Sequence, residues 1–386
     1  MKLIQITPQA PAENSGGGLG VLQTVLSLKE NGHTIDYIGP QIEQDGIREL
    51  YNDVYFLKAN TNIILRLIYL FRGITNSRYL DWKRLKIDFN DYDAVILDFT
   101  KLDYVLDRLN KKPLVVKVHN VEFDYASNDY NNNRSFEKYL ISKLAYKQEL
   151  KILKRADCIL ALTSNDKQRI CELYNEIKKE RITINPVSIK EKNIIRIEEK
   201  RKPLRLLITG SLWYEDNVKG IIWFIENVLE KLTISVNLTI AGSNPRESLL
   251  ERVSSIPNVT LIVSPKDMSN IFLDSDLFIA PVFSGAGMKV KVAEALSYGI
   301  PVVGTPHAFI GYIDTGLIKS FECYSNDDFI EAINSAFYEN QDSWLARRQK
   351  CLEIFLNNYS ITSSSIIWDD AIENAVKNKN KKENNR

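Results

Sequence analysis

One segment combines glycines, lysines and a carboxylate at the spacing of an anion-binding helix start. The sequence PVFSGAGMKVKVAEALSYG (281–299) follows directly on the predicted strand LFIAP (277–281). Gly285 and Gly287 allow the backbone to approach a ligand closely, and we expect a helix to begin near Met288. The free N–H groups and the positive dipole end of a helix start suit a diphosphate.

The charged side chains of this segment add specific chemistry. Lys289 and Lys291 are two residues apart, so on a helix they point in different directions, and we expect only one to reach a shared ligand. Glu294 lies further along the same helix, where its carboxylate could accept hydrogen bonds from ribose hydroxyls. A glycine loop followed by a solvated helix face is the alternative. The position directly after a strand favours binding, because ligands of parallel sheets lie beyond the carboxyl ends of the strands.

Short β-rich runs alternate with helical patterns along the whole chain, which predicts an α/β fold with parallel sheets. Several runs are continuously apolar, as expected of strands covered on both faces. The predicted strands are KLIQIT (2–7), TIDYIG (34–39), AVILDF (94–99), PLVVKVH (113–119), CILAL (158–162), RITIN (181–185), LRLLITG (204–210), VNLTIAG (236–242), VTLIV (259–263), LFIAP (277–281) and PVVG (301–304).

A charged stretch that ends in proline, 187–203, interrupts this alternation and predicts an interdomain linker. We therefore expect two Rossmann-like domains, residues 1–190 and 203–360, that face a cleft. The segment 361–376 has apolar residues at helical spacing, and we expect this helix to cross back to the first domain, with Trp368 as an anchor. The polar tail 377–386 is expected to be disordered.

Composition excludes several functional classes. The 386 residues carry a net charge of +1, which gives no general attraction to nucleic acid. The four cysteines form no C-x-x-C pair and the three histidines no H-x-x-x-H pattern, so we expect neither a metal site nor a disulfide framework. The most apolar run, 62–71, contains Arg66 and is too short to span a membrane. The chain is expected to be cytoplasmic.

The second half resembles the GT-B-fold glycosyltransferases of the family 4-like group (glycosyl transferases group 1). That group carries G-x-G-x-K-x-K-x-x-E-A followed by G-x-P-V-V, as at 285–303 here. The stretches GSLWYEDNVKGIIWF (210–224), IAGSNP (240–245) and ADCILALTSND (156–166) also occur in the expected order. The likeness is strong over 204–312 and weak before residue 110.

The resemblance implies a donor site in the second domain. It implies that Glu294 binds the donor ribose. It also implies that Gly285 and Gly287, with Met288 and Lys289, line the sugar and the diphosphate. Many relatives carry a further glutamate eight residues before the ribose-binding residue, at the position that is Ala286 here.

Other donor contacts follow less directly from the resemblance. Relatives often place an arginine after the glycine that matches Gly210, and Ser211 replaces it here. Lys219 would then supply charge to the diphosphate, with an ordinary surface lysine as the alternative. Ser264 matches a loop that contacts the base, although a plain turn would look the same.

In the first domain, the resemblance points to two groups of residues. The run SGGGLG (15–20) follows the first strand, and its glycines, among them Gly16 and Gly17, would permit close passage beside the donor. His119 matches a family histidine near the transferred sugar, with a buried core histidine as the alternative. Glu122 is a second catalytic candidate.

Two D-x-D strings could suggest a metal-dependent transferase. Asp91/Asp93 and Asp274/Asp276 both precede a strand, which places them at the sheet edge opposite the expected site. We interpret them as structural, and the expected reaction requires no metal and no cofactor.

The sequence thus predicts a metal-independent glycosyltransferase of polysaccharide biosynthesis. The resemblance implies retention of anomeric configuration, whereas an inverting enzyme would need a base, for which Glu122, Asp124 and His119 are candidates. The donor would be a UDP- or GDP-sugar and the acceptor a surface glycan or lipid-linked saccharide. The interleaved basic and aromatic residues of 62–86 could contact a membrane or an acceptor, or could equally form a packed helix. A nucleotide-sugar 2-epimerase and a non-catalytic nucleotide-sugar-binding protein are the alternatives.

Overall fold

A computed structural model describes residues 1–13, 16–59, 62–76, 84–109, 111–192, 199–285, 287–313, 316 and 321–384. Its contacts divide the chain into two compact units. The first unit comprises Met1–Pro186 and Ile361–Arg386, and the second comprises Val187–Ser360. Among the described residues, no helix combines the length and apolar character needed to cross a membrane.

The first unit is built on a parallel sheet in the order β3-β2-β1-β4-β5-β6-β7. Its strands are β1 (Lys2–Ile6), β2 (Thr34–Gly39), β3 (Val54–Phe56), β4 (Ala94–Asp98), β5 (Leu114–Val118), β6 (Cys158–Ala161) and β7 (Ile182–Ile184). The residues of β4, β5 and β6 are all buried, which explains their continuous apolar runs. The sequence predicted every strand of this sheet except the short edge strand β3.

Helices connect these strands. They are α1 (Gly16–Glu30), α2 (Asp45–Arg48), α3 (Ile63–Phe71), α4 (Glu122–Asn132), α5 (Phe136–Arg155) and α6 (Ser164–Leu173). Side-chain caps define several starts: Ser135 accepts a hydrogen bond from the Lys138 amide, and Thr163 accepts one from the Asp166 amide. Helix α1 begins within the glycine-rich run that follows β1.

The second unit repeats the architecture with five parallel strands in the order β10-β9-β8-β11-β12. The strands are β8 (Leu204–Ser211), β9 (Val236–Ser243), β10 (Val259–Val263), β11 (Leu277–Ala280) and β12 (Val302–Gly304). The helices are α7 (Glu215–Asn227), α8 (Glu247–Ser254), α9 (Ser269–Leu273), α10 (Val290–Ser297), α11 (Asn326–Tyr338) and α12 (Gln341–Asn358). Two parallel-sheet domains confirm the predicted fold class.

The predicted linker 187–203 belongs to the second unit. Ile189 pairs with Ser360, and the Lys200 amine donates hydrogen bonds to the carbonyls of Ala336 and Glu339. Charged residues predicted an exposed connection, but here the described part of the segment packs against the C-terminal helices of its own unit.

The last helix, α13 (Ile361–Asn384), belongs to the first unit, which confirms the predicted crossing. It packs on α1 and on strands β4, β5 and β6. Trp368 is fully buried in the same apolar cluster as Leu22 and Val25 of α1. Polar contacts fix the register: Ser27 Oγ donates to Ser364 Oγ at 3.0 Å, and His33 Nε2 lies 2.7 Å from Asp369 Oδ1.

The expectation of a disordered tail from residue 377 was wrong, because α13 continues to Asn384. The packed part of the helix supplies the costly nucleus, so each further residue adds a hydrogen bond without new nucleation. The sequence 377–384 contains no proline or glycine, and Lys377 pairs with Glu373 one turn earlier at 2.8 Å.

Replacing Trp368 tests how strongly α13 is anchored. Trp368→Ala should lower the free energy of unfolding of the first unit by about 3–5 kcal/mol, the cost of truncating a buried aromatic side chain. Ile366→Ala is the matched control, because Ile366 on the same helix is 60% exposed; its effect should stay within about 0.5 kcal/mol. Urea unfolding of the full chain measures both, and equal losses would contradict the anchoring role.

Candidate functional site

The glycine-rich segment 281–289 lies at the carboxyl edge of the second sheet, directly after β11. Gly285 has φ +94° and Gly287 has φ +74°, conformations that favour glycine. Helix α10 begins at Val290 with Lys289 as its N-cap residue, two residues later than expected. The loop therefore runs into a helix N-terminus, as the sequence predicted.

The Lys289 amine is engaged within the loop. Its Nζ donates to the carbonyl oxygens of Gly285 at 2.7 Å and Gly287 at 2.9 Å. His307 Nε2 also lies 2.6 Å from the Gly285 carbonyl oxygen. Burial lowers the pKa of Lys289 below its usual value. This lysine therefore holds the shape of the loop and brings a positive charge to it.

Lys291 points elsewhere, as predicted for residues two apart on a helix. Its Nζ lies 3.3 Å from Asn217 Oδ1 on α7, and Asn217 Nδ2 donates to the Ser211 carbonyl at 3.1 Å. Burial, with a contribution from the charge of Lys289, lowers the pKa of Lys291 to about 8. No carboxylate of the described residues forms an ion pair with Lys291, so an anionic ligand would supply its missing counterion.

Lys219 lies on the solvent-facing side of α7, the helix that carries Asn217. Its side chain is 71% exposed and pairs with Glu215 one turn earlier at 2.6 Å. The structure thus gives Lys219 the surface ion pair that was its alternative interpretation, whereas Lys291 reaches the start of α7 through Asn217.

Glu294 lies one turn into α10 and is partly buried. Burial raises the pKa of its carboxyl group, and the charge of Lys192 opposes that shift. Within the described part of the chain no donor forms a hydrogen bond with its carboxylate. Met288, by contrast, packs its side chain into the apolar core with Val292 and Leu296, so only its backbone can line a site.

Two further candidates lie at the same edge of the sheet. Ser264 follows β10 with φ +47°, and its amide donates to the Gly242 carbonyl at 2.8 Å. Gly210 is near the end of β8, where a Cβ atom would come within 3.1 Å of Asn217 Nδ2. The parallel pairing therefore brings Gly210, Ser264 and the glycine segment to one edge.

In the first unit, His119 is part of a buried hydrogen-bond network. Its Nε2 lies 2.7 Å from Asp98 Oδ1, and its ring stacks on Phe99 at 4.2 Å between centroids. A Cβ atom on Gly20 would fall 2.5 Å from His119 Nδ1, so only glycine leaves room for the ring there. Burial lowers the pKa of His119. The network favours a neutral imidazole that donates from Nε2 to Asp98.

Glu122 is the first residue of α4 and is buried beside Lys101, whose Nζ lies 3.1 Å from Glu122 Oε2. Its other oxygen, Oε1, has no hydrogen-bond partner among the residues that the structure describes. Burial raises the pKa of Glu122 to about 7, against the opposing charge of Lys101. A carboxyl group that titrates near neutrality is suited to exchanging a proton with a ligand.

Sequence reasoning missed Glu149, which orders this region. Its carboxylate accepts hydrogen bonds from the backbone amides of Glu122 at 3.0 Å and Phe123 at 3.1 Å, at the start of α4. It also accepts from Thr100 Oγ1 and from the Tyr174 hydroxyl. Glu149 lies within a charged helical pattern, so no local signal distinguishes it from the solvated residues around it.

A cavity of about 380 Å³ opens at the carboxyl edge of the first sheet. Phe99, which stacks on His119, and Lys101, which pairs with Glu122, both line it. Phe99 has φ +67°, a strained conformation for a bulky residue that is typical of functional sites. The remaining lining residues are Pro8, Gln9, Ala10, Pro40 and Asn76.

The glycines before α1 differ in their surroundings. A Cβ atom on Gly17 would fall 2.1 Å from Oε1 of Gln9, so any other residue there would require the Gln9 side chain to move. No atom lies within 4 Å of the position that a Cβ atom of Gly16 would take. Gly17 therefore lies in contact distance of Gln9, whereas the space around Gly16 is open.

The D-x-D residues make structural contacts. Asp93 accepts a hydrogen bond from the Lys2 amide at 2.8 Å. Asp276 accepts from the backbone and the guanidinium of Arg205, which also pairs with Asp274. In the described ranges, no group of three or more His, Cys, Asp or Glu residues could hold a metal ion.

Comparisons with known proteins identify a family match in the second unit and a distant relative. Residues 203–337 match the family model of the glycosyl transferases group 1. An uncharacterized 44.6 kDa protein in the cps region of Klebsiella pneumoniae is 26% identical over 333 residues, which cover 79% of this chain and 82% of that protein.

Solved structures share the fold over nearly the whole chain. WaaG, a glycosyltransferase involved in lipopolysaccharide biosynthesis, aligns with a TM-score of 0.65 at 17% identity, covering 96% of this chain and 99% of WaaG. HepE of Anabaena, solved in complex with UDP-glucose, aligns with a TM-score of 0.65 at 11% identity, covering 96% and 99%. The chain therefore shares the fold of these solved glycosyltransferases, and its residues 203–337 match the family model of the glycosyl transferases group 1.

Proposed function

We propose that the chain transfers a glycosyl group from a UDP- or GDP-sugar to an acceptor hydroxyl of a surface glycan or lipid-linked saccharide. The observation that carries this proposal is the partly buried Lys291, which has no carboxylate partner among the described residues and adjoins a glycine loop and a helix start. The UDP-glucose bound to HepE and the cps region of the Klebsiella relative support the donor class and the pathway class.

The diphosphate and the ribose of the donor each have candidate partners in the second unit. The diphosphate would take the free amides at the start of α10 and the charges of Lys289 and Lys291. The ribose hydroxyls would donate to Glu294, whose carboxylate accepts no hydrogen bond from the described residues. The backbone atoms of Ser264 and Gly210 would lie close to the nucleotide.

The reaction breaks the bond between the anomeric carbon and the diphosphate oxygen and forms a bond to the acceptor oxygen. Negative charge develops on the leaving diphosphate, where preorganised amides and lysines stabilise the transition state. The acceptor proton leaves with the diphosphate.

We propose that the reaction retains the anomeric configuration, as the family resemblance implies. The NMR coupling constant of the product's anomeric proton measures the configuration, and an inverted product would refute the proposal.

The first-unit cavity beside Glu122 and His119 is the proposed acceptor side. Phe99 and Lys101 both line the cavity. Phe99 stacks on His119, and Lys101 forms an ion pair with Glu122. Glu122, with its unpaired Oε1, could accept a hydrogen bond from an acceptor hydroxyl, and the Asp98–His119 pair would fix the imidazole beside it. We therefore assign Asp98 a positioning role.

Replacing Glu294 tests the donor assignment. Glu294→Ala should weaken nucleotide-sugar binding, because each lost charge-assisted hydrogen bond contributes about 1.5–3 kcal/mol. Calorimetric titration with UDP-, GDP-, ADP- and dTDP-sugars measures the affinity. The matched control is Glu331→Ala, which removes an exposed carboxylate of α11. An unchanged affinity in folded Glu294→Ala would refute the ribose contact. Conversion of the nucleotide sugar without any acceptor would indicate an epimerase. Binding of the nucleotide sugar without turnover would indicate a non-catalytic binding protein.

In the proposed site, lysines and not a metal ion neutralise the diphosphate. Activity should therefore survive EDTA. Donor affinity should fall as pH rises through about 8, because Lys291, whose pKa is lowered to about 8, loses its charge there. Lys291→Gln should bind more weakly and lose this pH dependence, whereas Lys219→Gln should behave as wild type. Complete loss of activity in EDTA, restored by Mg²⁺ or Mn²⁺, would contradict metal independence.

A peripheral membrane contact is supported by the surface of α3. Six apolar side chains of this nine-residue helix are 41–73% exposed: Ile63, Ile64, Leu65, Leu67, Ile68 and Phe71. Arg66 and the exposed Arg72 add positive charge, as expected of a helix that lies in an anionic membrane interface. Of the predicted stretch 62–86, residues 77–83 lie outside the described residues.

The α3 contact is tested by vesicle binding. The chain should co-sediment with vesicles of phosphatidylglycerol and phosphatidylethanolamine, and the double variant Ile64→Glu/Phe71→Glu should remain in the supernatant. Ile366→Glu introduces a charge at an exposed apolar position of α13 and should bind as wild type. Equal binding of wild type and the double variant would refute the contact.

A further inference from the structure

A second cavity, of about 630 Å³, lies within the second unit beside the glycine segment. Helices α7 and α11 form its walls, with the segments that follow β11 and β12. Its lining residues are Trp223, Val282, Phe283, Thr305, Pro306, His307, Ile310, Cys323, Tyr324, Ser325, Asn326 and Phe329.

This cavity adjoins the glycine segment through Val282 and Phe283, but its helical walls belong to a different apolar core from α10. Helices α7 and α11 bury their apolar residues in one core cluster of the unit. Helix α10, which carries Lys291 and Glu294, buries its residues in the other cluster. Neither of these charged residues lines the cavity.

Aromatic side chains dominate the walls. Trp223 makes T-shaped contacts with Phe283 at 4.7 Å and with Phe329 at 5.4 Å between ring centroids. Phe283 is 53% exposed and Tyr324 is 78% exposed, so rings reach the open mouth of the cavity. Among the described lining residues there is no lysine, arginine, aspartate or glutamate, which favours an uncharged ligand over a nucleotide.

Neutral polar groups accompany the rings. His307 donates from Nε2 to the Gly285 carbonyl, which leaves Nδ1 as an acceptor. Ser325 caps α11 by accepting from the Asp328 amide at 3.2 Å, so its hydroxyl hydrogen can donate to another acceptor. The Asn326 amide adds a donor and an acceptor. Apolar rings beside a few neutral donors and acceptors suit an uncharged ligand with apolar faces and hydroxyl edges.

From this lining we propose that the cavity binds a neutral pyranose unit of a glycan. The C–H face of the sugar packs on Phe283 and Tyr324, while its hydroxyls meet His307, Ser325 and Asn326. His307 also holds the Gly285 carbonyl, so the bound sugar contacts a residue that shapes the glycine loop. The inference rests on the proposed function, in which the chain elongates a glycan that could occupy this site.

Binding of neutral oligosaccharides tests the proposal on the full chain. The probes are tetrasaccharides of glucose, galactose and mannose, titrated by tryptophan fluorescence and calorimetry. We expect at least one to bind, and Phe283→Ala and Tyr324→Ala each to weaken it about tenfold, the loss of one aromatic contact. Tyr338→Ala is the matched control, because Tyr338 lies on the same helix, is 74% exposed and does not line the cavity. Affinity for nucleotide sugars should not change in Tyr324→Ala or Tyr338→Ala, because both residues lie outside the glycine segment.

The outcomes separate this inference from the proposed function. If a nucleotide sugar binds and turns over but no tetrasaccharide binds, or the aromatic variants bind one as tightly as wild type, the inference is overturned and the function stands. Binding of a polyprenol, lost in Phe283→Ala, without tetrasaccharide binding would also overturn it. If tetrasaccharides bind as expected but no nucleotide sugar does, the proposed function fails and the glycan site stands.

Discussion

Parallel strand pairing determines where each unit can bind a ligand. Strand β11 pairs in parallel with β8 and β12, so the segments after these strands meet at one edge of the sheet. At that edge the chain turns through Gly285 and Gly287 into the N-terminus of α10. The amides and dipole of α10 and the amines of Lys289 and Lys291 thus lie at one edge, and the donor proposal depends on that proximity.

Burial then gives the charged groups their chemistry. Lys291 is partly buried with only a neutral amide partner, and the pKa of the group falls to about 8. Glu122 is buried with one oxygen unpaired, and its pKa rises to about 7. Water cannot fully stabilise the charges of these two groups. An anionic ligand at Lys291, or a proton at Glu122, is therefore bound more favourably than at an exposed residue.

Sequence patterns predicted the features that depend on local order. Continuous apolar runs predicted the buried strands, helical spacing predicted α13 on the first unit, and the two-residue spacing predicted that Lys289 and Lys291 diverge. The patterns failed where distant residues decide the environment. Asp98 and His119 are 21 residues apart, and Asn217 and Lys291 are 74 apart. Likewise, Met288 was expected to line the sugar and the diphosphate, but its side chain packs in the core. Lys219 was expected to contact the diphosphate, but it pairs with Glu215 one turn away.

A crystal structure of the full chain with a nucleotide diphosphate sugar tests the central claim most directly. The account predicts the diphosphate at the amides of the glycine segment and the Lys291 amine, with the ribose hydroxyls on the Glu294 carboxylate. A nucleotide bound in the aromatic cavity between α7 and α11, or one whose diphosphate contacts neither Lys291 nor the start of α10, would contradict it.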